Sequence, residues 1–304
     1  MRGISGLGEA IVWLALGAIT AWLLYRPVTG LLVASGAIRR NYAGRDVPVA
    51  GGLVFVFAAL AVGALQWARQ VWSGVRPELA VLEVALLVTL VGFCLFGLVD
   101  DLLGSRETGG FKGHFRLLLT EGRLTSGVVK ALGGLLLAVF PGAAALAVRP
   151  GAGRGWLGLA GEAGLNAVII ALSANAINLL DLRPGRAFKG FVLLGAGALA
   201  LGAPGHPVWG WLSPLAGAAA VFAGHDLRAE VMMGDTGSNV LGAAVGVAAA
   251  WTGGFGVRLG WLLALVLFHL YTERTSLSVK IEQVPALRWL DRLGRRRELE
   301  AGRK

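Results

Sequence analysis

Residues 80–99 form an apolar run that ends in two adjacent carboxylates, Asp100 and Asp101. A run of ~20 apolar residues is long enough to cross a bilayer as a helix. A carboxylate in the hydrocarbon core costs about 2.5 to 3.5 kcal/mol on insertion scales, so the pair must lie at a membrane surface or in a wet cavity. It marks either a polar boundary or a site.

Hydrophobic residues make up 56% of the chain and charged residues 15%, with a mean hydropathy of +0.69, which excludes an ordinary soluble domain. The apolar runs lack period-two alternation, so they read as helices and not as strands of a barrel. The expected fold class is therefore all-α, a polytopic helical bundle in the cell membrane. The span length places helices at about 7–25, 51–68, 80–99, 127–148, 164–180, 188–203, 208–224, 239–252 and 257–272.

If the connection after the first helix is cytoplasmic, 22 Lys and Arg fall inside and 6 outside. That asymmetry supports nine spans with the N-terminus outside and the C-terminus inside. The net charge of +10 then reports topology, and nucleic acid is not an expected partner. Residues 1–272 read as one polytopic membrane domain. Residues 273–304 read as a basic amphipathic cytoplasmic tail, with a short helix around 285–293 touching anionic headgroups. The first helix reads as retained, since no small-residue cleavage site follows it. Cys94 reads as a small buried residue, His114 as a solvated loop residue and His269 as packed against a neighbouring helix.

The acidic and amide residues fall on one side of this topology. Asp100 and Asp101 end the third helix, Asn175-Ala-Ile-Asn-Leu-Leu-Asp181 ends the fifth, and Gly234-Asp-Thr-Gly-Ser-Asn239 precedes the eighth. Helix capping explains any one of these segments and explains three together poorly. Adjacent helical residues point about 100° apart, so Asp100 and Asp101 are expected to do different jobs. Asn175, Asn178 and Asp181 follow at spacings of three and form a polar stripe that suits a wet cleft.

Gly-Asp-Thr-Gly-Ser reads as a loop suited to phosphate and metal, with Ser238 capping the helix that follows. Hard oxygen donors without a His/Cys cluster favour Mg²⁺, or Mn²⁺, over zinc. Basic residues at Arg45, Lys112, Arg116, Arg183, Arg186 and Lys189 suit an anionic, phosphate-bearing substrate.

These residues carry a resemblance to the polyprenyl-phosphate N-acetylhexosamine-1-phosphate transferases. Arg45-Asp-Val-Pro-Val-Ala-Gly-Gly52 resembles the first cytoplasmic signature of that superfamily, and Gly97-Leu-Val-Asp-Asp101 its Asp-Asp signature. The stretch from Asn175 to Asp181 is similar to its Asn-x-x-Asn-x-x-Asp segment, and Met233-Gly-Asp-Thr-Gly-Ser238 to its Gly-Asp-x-Gly-Ser loop. The resemblance implies transfer of a sugar 1-phosphate from a nucleotide-sugar, UDP-linked in the leading reading, to a polyprenyl phosphate. The nucleoside monophosphate is released, and the product serves cell-wall or surface-glycan synthesis. It implies Asp235 as the leading Mg²⁺ ligand with Asp101 beside it, and Asp100 or Asp101 as the group that deprotonates or orients the lipid phosphate. Asn175, Asn178 and Asp181 would line the donor pocket with Arg45, Lys112 and Arg183. Direct attack and a two-step route through a phospho-aspartate both remain open.

The sequence departs from that pattern in places. Pro184 stands where the superfamily carries a second Asp, Met232 where some members carry a base-stacking aromatic, and His225 where an Asn falls. The last cytoplasmic loop reads Tyr271-Thr-Glu-Arg-Thr-Ser276 in place of a His-rich motif, and the nine-span count leaves out a tenth helix. The other functional class is a non-catalytic relative or transporter binding a polyprenyl-linked sugar. Ionisable residues near the bilayer midplane would mark it, and Glu9, Glu83 and Glu162 lie instead near outer helix starts. A homodimer is the expected oligomer, if one forms.

Overall fold

In lipid, backbone N–H and C=O groups have no water to bond, so long apolar segments pair them internally as helices. In a computed structural model, the structure describes residues 2–74, 77–104, 120, 122, 126–148 and 155–295. Nine helices of 16 residues or more occur among them. They are α1 (Arg2–Ala34), α2 (Leu53–Trp72), α3 (Pro77–Leu103), α4 (Ser126–Val148), α5 (Trp156–Leu180), α6 (Arg186–Leu201), α7 (Val208–Asp226), α8 (Gly234–Thr252) and α9 (Phe255–Arg274). Two short helices follow, α10 (Leu277–Gln283) and α11 (Pro285–Arg292). The chain is an all-α polytopic membrane protein.

Among the described residues, six helices are long and apolar enough to cross a bilayer: α1 to α5 and α9. The rest of the nine, α6 to α8, are shorter or less apolar. The reason is clearest in α8, where every residue except Asp235 is buried. A helix enclosed by protein, not lipid, can carry Gly, Ala, Ser, Thr and Asn that let its neighbours approach closely. Helix α8 is flanked by α3 and α5, with α6 alongside. Helix α1 runs nine residues beyond its expected end at 25, through Pro27, and packs on α7. Proline is tolerated there because neighbouring groups in a membrane bundle re-satisfy the freed carbonyl.

The one sheet among the described residues is a hairpin of β1 (Ile38–Arg40) and β2 (Asp46–Pro48), antiparallel, with Arg39 opposite Val47. Its exit runs into the start of α8: the Gly51 and Gly52 N–H groups donate to the carbonyls of Met232 and Met233, both at 3.0 Å, and Met232 N–H donates to Pro48 O at 2.8 Å. This tie is possible only without a side chain at Gly52, where a Cβ would come within 2.1 Å of the Gly237 backbone. Gly97 on α3 is constrained in the same way, its Cβ position lying 2.3 Å from Asp235 O. The Gly-Gly and Gly-x-x-Asp-Asp signatures thus bring two chain segments against the first turn of α8.

Candidate active site

The first turn of a helix presents backbone N–H groups that have no partner within the helix, and its end carries partial positive charge. At α8, carboxylates from two other helices supply that partner. Asp101 accepts from the Asp235 N–H at 3.0 Å, the Thr236 N–H at 2.9 Å and the Thr236 hydroxyl at 2.6 Å. Asp181, at the C-cap of α5, accepts from the Gly234 N–H. Gly234 itself has φ +72°, and any Cβ there would meet the Asp101 carboxylate.

The motif at 234–238 is therefore helix, not the expected loop. Ser238 does not cap it; its hydroxyl donates to Gly234 O at 3.0 Å within the helix. Caps supplied from other helices leave no need for a local one.

The two neighbours at the end of α3 are separated as their 100° offset requires. Asp101 is turned inward and is 5% exposed. Asp100 is half-buried on another face, and its backbone carbonyl accepts from Arg39 at 3.4 Å. Asp235 is the one half-buried residue in the otherwise buried α8. Burial, and behind it the negative charges of Asp226, Asp235 and Asp101, push the Asp181 carboxyl well above the ordinary carboxylate range. Asp181 thus stands among three other carboxylates, of which Asp101 and Asp235 lie at the start of α8. Such mutual repulsion is the electrostatic condition under which a cation is attracted to a site.

Beside this cluster lies an open cavity lined by Asn41, Asp181, Arg183, Pro184, Asp226 and Met232, among others. Asp226, at the end of α7, accepts the Gly185 N–H at 2.6 Å and so holds the turn that follows Asp181. Asn178 donates to Asn239 of α8 at 3.1 Å, and Asn175 is half-buried one turn before it. Arg45 is exposed on the hairpin and reaches Arg228 O at 3.4 Å. Arg183 is drawn to Glu282 at 2.8 Å. Lys112, Arg116 and His114 lie outside the described residues.

The structure therefore gathers Asp101, Asp181 and Asp235 at one helix start and places Arg45 and Arg183 toward the periphery. Sequence reasoning missed Asp226, Thr236 and Asn239. Asp226 carried the same signal as the others, an acidic residue at the same end of an apolar helix. Among the described residues, no three His, Cys, Asp or Glu side chains converge as a ready-made metal cage. Mg²⁺ commonly binds through one or two carboxylates with substrate phosphates completing its shell, so the oxygen donors here fit it.

No family model matches the chain. It is 30% identical over 249 residues to the phospho-N-acetylmuramoyl-pentapeptide-transferase of Moorella thermoacetica, an alignment that covers 80% of this chain and 73% of the relative. With the enzyme of the same name from a Synechococcus species it shares 30% over 288 residues, covering 92% and 75%. With that of Desulforudis audaxviator it shares 29% over 303 residues, covering 94% and 83%.

Proposed function

This chain belongs to the polyprenyl-phosphate N-acetylhexosamine-1-phosphate transferases, the superfamily of the phospho-N-acetylmuramoyl-pentapeptide-transferases, and from that premise we propose that it transfers a sugar 1-phosphate from a UDP-sugar to a polyprenyl phosphate. The product would serve peptidoglycan or a related surface glycan, and the nucleoside monophosphate would leave. The observation that carries this reading is the convergence of Asp101, Asp181 and Asp235 on the first turn of α8, beside an open cavity.

Each side chain then has a distinct task. Asp101 is a positioning group: its carboxylate has about four lone-pair sites, and three of them take donors from α8. It fixes the start of α8, the turn that carries Asp235. Asp235 would hold Mg²⁺, with the remaining lone pair of Asp101 as a second donor. Bound there, Mg²⁺ would supply Lewis-acid stabilisation of the charge that develops on the leaving phosphate. Asp100, which does not share Asp101's face of α3, would orient or deprotonate the lipid phosphate. Asp181 and Arg183 line the cavity that would take the donor, and Asn175, Asn178, Arg45 and Lys112 are proposed to complete its binding.

The test is to incubate the purified protein with undecaprenyl phosphate and a panel of nucleotide-sugars and to identify the released nucleotide by mass spectrometry. UMP from at least one UDP-sugar is the expected result. Release from none of them would overturn the donor assignment.

A further inference from the structure

The turn 181–186 lines the cavity, yet its own hydrogen bonds are few. Asp181 and Arg186 N–H groups reach back to Asn178 O and Arg183 O, and Asp226 holds Gly185 from the α7 side. On the opposite side the turn is held by the C-terminal segment. Asp291 of α11 is 5% exposed and receives two hydrogen bonds from Arg186, at 2.8 and 3.1 Å, and two from Arg295, at 2.8 and 3.1 Å. Lys189 donates to the Asp291 carbonyl at 2.7 Å. Arg295 then reaches the turn itself, donating to Pro184 O at 2.9 Å, and Glu282 of α10 pairs with Arg183.

We propose that residues 276–295 form a strap that fixes the turn 181–186, with Asp291 as the positioning residue through which the strap sets affinity for an anionic, phosphate-bearing donor. Continuity of contact carries the proposal: Asp291 holds Arg295, Arg295 holds Pro184, and Pro184 and Arg183 line the same cavity as Asp181. The strap side of the junction is positive, with Arg183, Arg186, Lys189, Arg292 and Arg295 against Glu282 and Asp291; Asp181 and Asp226 on the cavity wall reduce the local excess to one positive charge. Bidentate Arg–carboxylate pairs are geometrically exacting, so a carboxylate shared by two guanidiniums fixes both. The proposal rests on the donor reading above, because affinity for that donor is what the strap would set.

The experiment uses the full chain, as wild type, Asp291→Asn and Glu282→Gln. Donor and lipid concentrations are varied separately in the transfer assay, and hydrogen exchange of the 181–186 amides is followed without ligand. The expected result is a donor KM raised ~10-fold by Asp291→Asn and ~3-fold by Glu282→Gln, with kcat and the lipid KM within about twofold. A folded variant with unchanged donor KM, or with both KM values raised alike, would overturn the proposal. Exchange at Gly185 should quicken in both variants, and unchanged exchange would also overturn it. If wild type transfers nothing while exchange quickens, the donor reading fails and the strap itself stands. Should Asp291→Asn not fold, Glu282→Gln decides the question, since its pair is partly exposed.

Discussion

Asp101→Asn is the perturbation that most directly separates positioning from chemistry at the start of α8. The substitution preserves shape but replaces one carboxylate oxygen with an NH₂ group. The oxygen that takes both the Thr236 N–H and its hydroxyl is the harder to replace, so the amide oxygen is expected on that side, leaving the Asp235 N–H opposed by the new NH₂. Losing a charge-assisted hydrogen bond costs about 1.5 to 3 kcal/mol. Losing the negative charge at a partly buried helix start costs up to ~2 kcal/mol more, offset in part by relief of the repulsion from Asp181 and Asp235. Because these overlap, a destabilisation of about 3 kcal/mol is expected. At ~2 °C or more per kcal/mol, the unfolding midpoint should fall by roughly 6 °C. The assay is a fluorescence melt in one detergent, reported by the 10 tryptophans, with Asp46→Asn on the exposed hairpin as control. The control should change stability by no more than about 0.5 kcal/mol. If Asp101→Asn melts together with Asp46→Asn, Asp101 does not cap α8 and the division of labour proposed for the pair is wrong.

Other consequences follow from the same geometry. Asp181 has its carboxyl raised by burial, so the folded state binds its proton more tightly than the unfolded one. Its contribution to stability is therefore present at low pH and is lost as pH rises from the ordinary carboxylate value through the raised one. Asp181→Asn should flatten that decline and lose activity; a melt-versus-pH series unchanged from wild type would contradict it. Burial alone would raise Asp291, but hydrogen bonds from Arg186 and Arg295 outweigh it and hold the carboxyl at about 2. The strap's stabilising charge is thus kept until pH falls below the ordinary value toward 2, and donor KM should not change through loss of that charge between pH 6 and 8. Gly97→Ala places a methyl 2.3 Å from Asp235 O and should cost about 1 to 3 kcal/mol with a marked loss of transfer, read by melting and assay together. At the far end of the bundle, Arg258 is 3% exposed between Asn166, at 2.9 Å, and Glu162, at 3.5 Å. Arg258→Ala should cost about 3 to 5 kcal/mol while leaving turnover per folded molecule unchanged.

Much of the bundle was legible in the sequence because the governing rule is simple: apolar runs of sufficient length become helices in lipid. Their ends were less legible. Helix α8 starts five residues before its expected start at 239, because the rule counts apolar residues and the first turn is Gly-Asp-Thr-Gly-Ser. That turn is stabilised by Asp101 and Asp181 from elsewhere, which no local pattern encodes. The same reason explains Ser238, whose spacing suited a cap and whose hydroxyl instead bonds inside the helix. The differing burial of Asp100 and Asp101 follows from a 100° offset, but which of them turned inward depended on where α8 sits. The contacts of residues 276–295 were hidden in a tail whose net charge is basic. Their signal was two acidic residues, Glu282 and Asp291, set among basic ones, and only the fold reveals Arg183 and Arg186 opposite them.

The most direct test is formation of the lipid-linked sugar diphosphate by wild type and by Asp235→Asn, at matched unfolding midpoints and with Mg²⁺ present. The site described here predicts product from wild type with a UDP-sugar donor, and loss of that product in a variant that still folds. Full activity in folded Asp235→Asn would contradict the assignment of the α8 start as the place where the phosphosugar is transferred.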